Sequence, residues 1–551
     1  MNVRRLGAGI AGAAIVIGVV TVLARVVGFG RWLVFSGSVG STCVGEAYAT
    51  ANLMPNVLYE VVAGGALTGA VVPLLAGPLI RAAGARSAEV DRIASGLLTW
   101  AVAVLLPVAL LLALLSGPLT ELLLPSETCP GQRALAVRML LVFAPQVVLY
   151  GVGVVLTGVL QAHHRFFWPA FAPLVSSFVV IVAYRAFALT AAGSRNDAAD
   201  VPVAAEAWLV WGTTAGVAAM TLPLLVPVAR AGISLRPTLR FPDGVARRAR
   251  ALASAGVVAL LAQQASVVAA LVLSNSFGVT GTINVFLYVQ AVYLLPYAVL
   301  AVPLATAAFP RLAARAAEGD RVSFAGTAAR TTRAVLGVSL LGAAALAATA
   351  PAVAAFFGAI DAGEITGMAP ALTAMAPGVV GFALIAHVGR ALYALERGRR
   401  AAGATAVGWL AVVVASVVAV LLVPSAGHVV VALALGSSVG MTVAGVLLLA
   451  ALRASAGTDA LAGVGRTLVA GVAGGLAGVL IARWVAVAAL DAWGSGAWAA
   501  AAAAACSGLV VAVIAGAAVA LLDRETMRQV VLWGAARRRV APDSSTRQGV
   551  G

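Results

Sequence analysis

The sequence predicts an all-α membrane protein that crosses the bilayer about fourteen times, with two six-helix lobes around a central cavity and two further helices near the C-terminus. Of its 551 residues, 62% are hydrophobic and only 10% are charged. A soluble domain carries roughly 25% charged residues, so a water-soluble chain this apolar could not cover its own surface. The apolar residues also form blocks of about 20 to 28 residues, the length of a membrane-spanning helix.

These blocks are expected to be helices, because a backbone in lipid must satisfy its hydrogen bonds within its own segment. The loops between the blocks are short, so no soluble domain of any size is expected. The predicted spans lie near residues 10–36, 47–80, 94–116, 134–160, 168–190, 206–229, 250–275, 282–310, 331–357, 369–395, 402–424, 428–452, 465–490 and 497–522.

The arginines predict the orientation of the chain. The sequence has no lysine, so all 36 basic residues are arginines, and the net charge is +16. Most of them lie on one side of the spans, which the positive-inside rule places in the cytoplasm together with both termini. The exceptions near the other side or within spans are Arg133, Arg138, Arg185, Arg195, Arg25, Arg31, Arg390 and Arg483. Because orientation explains the basic charge, no nucleic acid is expected as a partner. The lack of lysine with abundant alanine, glycine and valine is typical of a high-GC bacterial genome, which predicts a bacterial cytoplasmic membrane.

An internal repeat predicts the domain organisation. Leu23–Gly40 and Leu261–Gly278 share Leu, Ala, Leu, Val, Ser, Ser and Gly at the same spacing. Two halves of equal orientation, related by an axis along the membrane normal, are typical of transporters. The predicted parts are a first six-helix lobe at 1–229, a cytoplasmic linker at 230–249, a second six-helix lobe at 250–453, two added helices at 454–522 and a basic cytoplasmic tail at 523–551.

Charged side chains within the spans are candidate binding residues, because a charge in the bilayer core is costly and rare. Arg25 and Arg31 lie in the first span, about 120° apart around the helix axis. Glu60 lies within the second span, and Glu46 lies at its outer end. The always-charged, planar guanidinium of arginine suits an anionic group such as a pyrophosphate. The structural alternatives are a buried ion pair between helices and, for Arg31, a side chain that reaches the interface.

Residues that weaken a helix interrupt the second span. Pro55 lies near its start, and Gly64 and Gly65 lie in its middle. Proline removes a backbone hydrogen bond and glycine loosens the helix, so these residues are candidate hinges for gating. Membrane helices are also ordinarily rich in both residue types. Gln263 and Gln290 are expected to line the matching half of the cavity.

The sequence lacks the common signatures of an enzyme or a metal site. Without lysine there is no Walker P-loop, so ATP hydrolysis by this chain is not expected, and no H-E-x-x-H or paired-cysteine motif occurs. We expect no cofactor and no metal, and a coupling ion or the membrane potential as the energy source. Cys43 and Cys129 both fall in predicted extracytoplasmic loops, where the compartment permits a disulfide. Two unpaired cysteines are the equal alternative.

A series of short motifs runs through the first two predicted spans. It comprises L-A-R-V-V-G-F-G-R at 23–31, Glu46-Ala47-Tyr48, L-M-P-N-V-L at 53–58, Gly65-Ala66-Leu67 and Val72-Pro73-Leu74. This series resembles the MviN/MurJ family of lipid II flippases, within the multidrug/oligosaccharidyl-lipid/polysaccharide exporter superfamily. The resemblance implies fourteen spans, alternating access and export of a lipid-linked peptidoglycan precursor.

The same resemblance implies roles for individual residues. It implies that Arg25 and Arg31 face the cavity and bind the pyrophosphate, that Glu46 stands where the family has aspartate, and that Asn56 follows Pro55 in the family's Pro-Asn pair. The chain also departs from the family at several positions. These are Trp32 in place of an acidic residue, Tyr59-Glu60 in place of Arg-Arg, Gly64 in place of Glu, and Gln290-Ala291 in place of Asp-Arg.

The sequence therefore predicts a lipid II flippase, a transporter and not an enzyme, that moves the headgroup from the cytoplasmic to the outer leaflet. Three alternatives remain open: a flippase for another lipid-linked oligosaccharide, a small-molecule or drug antiporter, and a non-transporting scaffold for cell-wall enzymes. The expected partners are the lipid-linked precursor, the lipid bilayer and proteins of cell-wall synthesis.

Overall fold

The computed structural model describes residues 3–61, 68–81, 87–191, 193–242, 244–247, 257–423 and 425–522. Among these residues there are helices, turns and loops, and no β-strand. The helices are α1 Val3–Ser38, α2 Cys43–Glu60, α3 Thr68–Arg81, α4 Ala88–Leu114, α5 Ser116–Leu123, α6 Gln132–Phe143, α7 Gln146–Ala162, α8 Phe167–Thr190, α9 Val203–Thr221, α10 Leu225–Ala229, α11 Val257–Phe277, α12 Thr282–Pro296, α13 Val302–Ala317, α14 Arg321–Ile360, α15 Met368–Met375, α16 Gly378–Ala394, α17 Gly398–Leu422, α18 Val429–Ala456, α19 Val464–Trp493 and α20 Ala497–Leu522.

The prediction of an all-α polytopic membrane protein is confirmed, and the number of spans agrees approximately. Within the described part of the chain, twelve helical segments are long and apolar enough to cross a membrane, and α15 with α16 makes a thirteenth, bent by 42°. The remaining predicted span, 47–80, includes residues 62–67, which lie outside the described residues. There the structure has α2, of 18 residues, and α3, of 14 residues. Helix α2 carries Glu46, Asn52, Asn56 and Glu60, so it is too polar to count as an apolar span.

The chain divides into two compact units. The first unit comprises 1–291 together with 357–367 and 420–433, and the second comprises 292–356, 368–419 and 434–551. The division does not follow the chain, because two short later segments belong to the first unit. The five sequence-based parts therefore remain a prediction about evolutionary and functional organisation.

The core of the first unit lies between α3, α4 and α7. Leu75, Ile93 and Leu156 are fully buried there, in one apolar cluster. Burial of side chains of this size stabilises a fold by about 1.5–3 kcal/mol each in water, but within a bilayer the gain comes from close packing. Further along α4, Leu110 and Leu111 are exposed, as expected of side chains that contact lipid.

The core of the second unit lies between α13, α14, α16 and α18. Leu312, Val388 and Leu448 are fully buried in it. At Gly381 of α16, an added Cβ would lie 1.9 Å from the carbonyl oxygen of Met441 on α18. Only glycine permits this approach, which is how small residues bring membrane helices into contact.

The two extracytoplasmic cysteines of the sequence analysis are bonded to each other. Cys43, the first residue of α2, forms a disulfide with Cys129, and their Cα atoms are 6.1 Å apart. The alternative of two free thiols is thus wrong. A disulfide is expected in an oxidising compartment, so the bond agrees with the predicted extracytoplasmic position of both loops.

The described part of the predicted linker, 230–242 and 244–247, is docked on α4. Alternate linker residues donate backbone N–H groups to side chains one turn apart on α4: Ser234 to Asp91 (3.1 Å), Arg236 to Ser95 (3.0 Å) and Thr238 to Thr99 (3.0 Å). The registers match because two residues of extended chain span about 6.6 Å and four residues of helix about 6 Å. The linker thus runs along α4 and is hydrogen-bonded to it.

Replacement of Ser95 with alanine is expected to loosen the linker. The Ser95 hydroxyl accepts from the N–H of Arg236 and donates to the carbonyl of Ser234 (3.3 Å), so the change removes two hydrogen bonds. At about 1 kcal/mol for each bond, or about 2 kcal/mol together, trypsin should cut the linker after Arg240 about 30-fold faster in the purified protein. Thr190→Ala is the matched control, since the Thr190 hydroxyl bonds only within α8. Equal cleavage of both variants would contradict the docking.

Candidate functional site

A cavity of 580 Å³ lies in the first unit, with walls from α1, α2, α7, α8, α9 and α12. This volume falls within the roughly 300–1,000 Å³ that is usual for small-molecule and cofactor sites. Polar and aromatic side chains make up much of its lining. The cavity is therefore the candidate binding site.

One face of α1 forms part of the wall. Ala24, Gly28, Arg31 and Phe35 recur at three- and four-residue steps, so they share one side of the helix. Arg31 is half-buried on this wall. Arg25 is exposed and does not belong to the lining, because it lies about 120° around the helix from Arg31.

One face of α2 forms the facing part of the wall. Asn52, Asn56, Tyr59 and Glu60 lie on it, again at helical spacing. The side-chain N–H of Asn56 donates to the carbonyl of Asn52 (2.7 Å), and the hydroxyl of Tyr150 donates to Oδ1 of Asn56 (3.2 Å). These bonds fix the Asn56 amide in the wall.

The candidate hinge residues lie within α2 and beyond its C-terminal end. Pro55 is buried inside α2, and the helix continues beyond it to Glu60. Gly64 and Gly65 lie outside the described residues, so their hinge role stays a prediction.

Tyrosines that sequence reasoning missed form another part of the cavity wall. The hydroxyl of Tyr48 lies 2.9 Å from that of Tyr184 and 3.1 Å from that of Thr213. Phe35 packs on the Tyr184 ring, with 5.2 Å between ring centroids. The sequence shows only that Tyr48 and Tyr184 stand among apolar residues in two separate predicted spans. It does not show that their side chains contact each other.

Arg31 and Glu60 are the charged side chains among the described residues that line the cavity. No hydrogen bond or ion pair joins either of them to another described side chain. Arg31 thus presents its N–H donors to the cavity, and Glu60 presents a carboxylate acceptor. Such a wall can bind an anionic group and a hydroxyl-rich group side by side.

Three other predicted site residues lie away from the cavity wall. Gln263 and Gln290 are half-buried, and neither belongs to the lining. Their places as polar lining residues are taken by Ser176 and Ser177 of α8. Glu46 is 2% exposed, and its Oε2 accepts a hydrogen bond from the N–H of Gly281 at 2.9 Å.

Glu46 belongs to a group of hydrogen bonds around the α1–α2 turn, 39–42. The side chain of Asn284 donates to the carbonyl of Gly40 (2.9 Å), beside the Glu46–Gly281 bond. Both bonds join the turn region to the start of α12. At Gly281, whose φ is +80°, an added Cβ would lie 2.4 Å from the carbonyl oxygen of Ser41, so the contact requires glycine.

Asp361, which the sequence analysis did not single out, completes this group. Its carboxylate accepts from the N–H of Ser41 (2.9 Å), the hydroxyl of Ser41 (2.7 Å) and the hydroxyl of Ser36. It also accepts from the N–H of Gly363 (2.8 Å). Asp361 follows α14, so it joins a distant segment to the turn. We call the hydrogen bonds of Ser36, Ser41, Glu46, Asn284 and Asp361 the turn cluster.

Comparison with known proteins decides the family. The model of the family described as lipid II flippase MurJ matches residues 35–504, which is most of the chain. The chain belongs to this family. The resemblance of its first two spans to MviN/MurJ proteins is thereby confirmed.

Individual MurJ relatives are distant in sequence. A probable lipid II flippase MurJ of Synechocystis sp. is 30% identical over 241 residues, which span 42% of this chain and 42% of that protein. The lipid II flippase MurJ of Burkholderia cenocepacia is 29% identical over 396 residues, or 68% of this chain and 72% of that one. The probable lipid II flippase MurJ of Rhizobium tropici is 27% identical over 420 residues, or 74% and 75%.

Solved structures show the same fold. A lipid II flippase MurJ in an inward closed conformation superposes with a TM-score of 0.70 at 17% identity, covering 92% of this chain and 99% of that one. An inward-facing multidrug resistance MATE family transporter of the MOP superfamily superposes at 0.60 with 14% identity, covering 81% and 99%. The chain therefore has the fold of a MurJ-family multi-pass membrane transporter.

Asp361→Ala is expected to destabilise the protein. It leaves the N–H of Ser41 and the buried hydroxyl of Ser36 without their acceptor, which costs about 3 kcal/mol. The melting temperature of the detergent-purified protein, followed by tryptophan fluorescence, should fall by about 2–3 °C. Glu364→Ala in the same loop is the control, since Glu364 contributes only its backbone carbonyl to Ser41. A melting temperature equal to that of the control would show that the cluster contributes no stability.

Proposed function

We propose that this chain is a lipid II flippase, which moves the headgroup of the lipid-linked precursor from the cytoplasmic to the outer leaflet by alternating access. The observation that carries the proposal is the position of Arg31, a bilayer-embedded charge, on the wall of a polar cavity in a chain of the MurJ family. Membrane-embedded charges are costly and are kept where they bind or transport.

The chemistry of Arg31 fits a pyrophosphate. Its guanidinium is charged at any physiological pH and presents paired N–H donors in the geometry of a phosphate group. In a protein cavity, where the effective dielectric constant is lower than in water, these charge-assisted bonds are stronger than in solution. The headgroup would enter the cavity, and the polyprenyl tail would stay in the surrounding lipid.

Arg25 and Glu46 belong to the proposal by family resemblance, and Gln263 and Gln290 belong to it as polar residues expected to line the matching half of the cavity. Their positions off the wall of the described cavity mean that the structure supports Arg31, Asn56 and Glu60 more directly. For Glu46 the hydrogen bond to Gly281 supports a role in closure instead of direct contact with the headgroup.

The turn cluster is our candidate for the contact that closes the cavity toward the outer side of the membrane. It lies at the end of α1 and α2 that carries the Cys43–Cys129 disulfide, and a disulfide is expected on the outer side. The excess of arginines at the opposite loops supports the same orientation, with both termini in the cytoplasm. Release of the headgroup outward would require the hydrogen bonds of Asp361, Glu46 and Asn284 to break together.

A coupling ion or the membrane potential would drive transport. The proposed partners are the precursor, the bilayer and proteins of cell-wall synthesis, in a bacterial cytoplasmic membrane.

The direct test is complementation of bacteria depleted of their own lipid II flippase. We expect the chain to restore growth and the exposure of lipid II on the outer leaflet, measured by enzymatic cleavage of the exposed lipid. A well-expressed, membrane-inserted protein that restores neither would overturn the proposal, and would leave another lipid-linked oligosaccharide or a scaffold role to test.

Arg25→Ala and Arg31→Ala are each expected to abolish export in this assay while leaving the amount of protein in the membrane normal. For Arg31, loss of one charge-assisted bidentate contact costs about 3 kcal/mol, or more than 100-fold in binding, whereas the expectation for Arg25 rests on the family resemblance. Arg31→Lys should restore only part of the activity, because lysine cannot form the bidentate contact. Arg399→Ala, at an exposed residue of α17, is the control. Full activity of both variants would remove these arginines from the site.

A further inference from the structure

Tyr59 and Tyr150 form an aromatic pair on the wall of the cavity. Their ring centroids are 4.4 Å apart, with 37° between the ring planes. Tyr59 stands where the MviN/MurJ pattern has an arginine, so the pair replaces a cationic contact with an aromatic surface. This position therefore offers an uncharged aromatic ring packed against a second ring.

The pair is held in place by its neighbours. Tyr150 is only 8% exposed, and its hydroxyl donates to the Asn56 amide, which in turn donates to the carbonyl of Asn52. Tyr59 packs against this fixed ring and is itself half-buried on the cavity wall. An aromatic ring fixed in this way binds with little loss of side-chain freedom.

Hydrogen-bonding groups flank the pair on α2. Glu60 is exposed, and among the described residues it accepts no hydrogen bond. The Asn56 amide retains one N–H that has no partner within the described structure, since its other N–H is used by Asn52. An aromatic face beside a carboxylate and an amide matches the chemistry of a sugar ring, whose C–H face packs on aromatic rings while its hydroxyls donate and accept.

We propose that Tyr59, supported by Tyr150, is a platform for a sugar ring of the transported headgroup, with Glu60 and Asn56 binding the sugar hydroxyls. This rests on the proposed function, in which Arg31 takes the pyrophosphate of the same molecule. The cavity then selects its substrate by two separate contacts, an anionic one on α1 and a saccharide one on α2. The second contact gives this chain a preference for sugar-bearing lipids.

The test compares two lipids on the full-length protein in nanodiscs. One is undecaprenyl pyrophosphate, and the other is the same lipid carrying an N-acetylated disaccharide without peptide. We expect the unaltered protein to bind the sugar-bearing lipid more tightly. Tyr59→Ala should weaken that lipid by about 3- to 10-fold, the usual value of one aromatic contact, and change undecaprenyl pyrophosphate by less than 2-fold.

Three further variants make the result specific. Tyr59→Phe should keep the preference for the sugar-bearing lipid, because it keeps the ring. Tyr59→Leu should lose this preference, because leucine keeps the apolar volume of the side chain but not the aromatic ring. If Tyr59→Ala fails to fold, the comparison of Tyr59→Phe with Tyr59→Leu tests the proposal. Tyr393→Ala, at an exposed tyrosine outside the cavity lining, should change neither affinity.

The outcomes separate the two proposals. If the unaltered protein binds neither lipid, the proposed function fails. If it binds both lipids, and the Tyr59→Leu variant weakens both equally or neither, the function stands and the platform is wrong.

Discussion

The structure depends on one constraint, that lipid offers no hydrogen bonds. A backbone in the bilayer must satisfy its hydrogen bonds within its own segment, and the spans among the described residues are accordingly helices. The same constraint acts on side chains. Leu110, Leu111 and other large apolar residues can face outward at no cost, whereas Arg31, Glu60 and Asn56 must turn toward one another or toward a cavity. The polar residues of α1 and α2 thus lie where a headgroup could be bound.

The cavity couples two kinds of surface within one unit. On α1 the wall carries a positive charge, and on α2 it carries a carboxylate, two amides and two tyrosine rings. The hydroxyls of Tyr48 and Tyr184 form a hydrogen bond with each other, so their burial costs little. The combination differs from a purely cationic cavity, because Tyr59 and Glu60 add an aromatic ring and a carboxylate to the same wall as Arg31.

Hydrogen bonds also determine which segments move together. Asp361 lies far along the chain from Ser41, yet four donors meet at its carboxylate and tie the loop after α14 to the α1–α2 turn. The linker is joined to α4 in a similar way, since Ser95 and Thr99 bind alternate backbone groups of an extended segment. In both places, separating the joined segments requires several modest hydrogen bonds to break together, which makes such a change cooperative rather than gradual.

The sequence by itself determined the membrane class, the helices and the family. Long apolar blocks indicate the membrane-spanning helices, and a few short motifs around Arg31 and Pro55 indicate the family. Both are local signals, so they can be recognised without knowledge of tertiary contacts. The tertiary structure decided which polar residues meet. Helical spacing separated Arg25 from Arg31, but it could not show that Tyr150 would pack on Tyr59 or that Asp361 would bind Ser41. Those contacts join residues far apart in the chain, and their energies depend on distances of a few ångströms that only the packing of the helices sets.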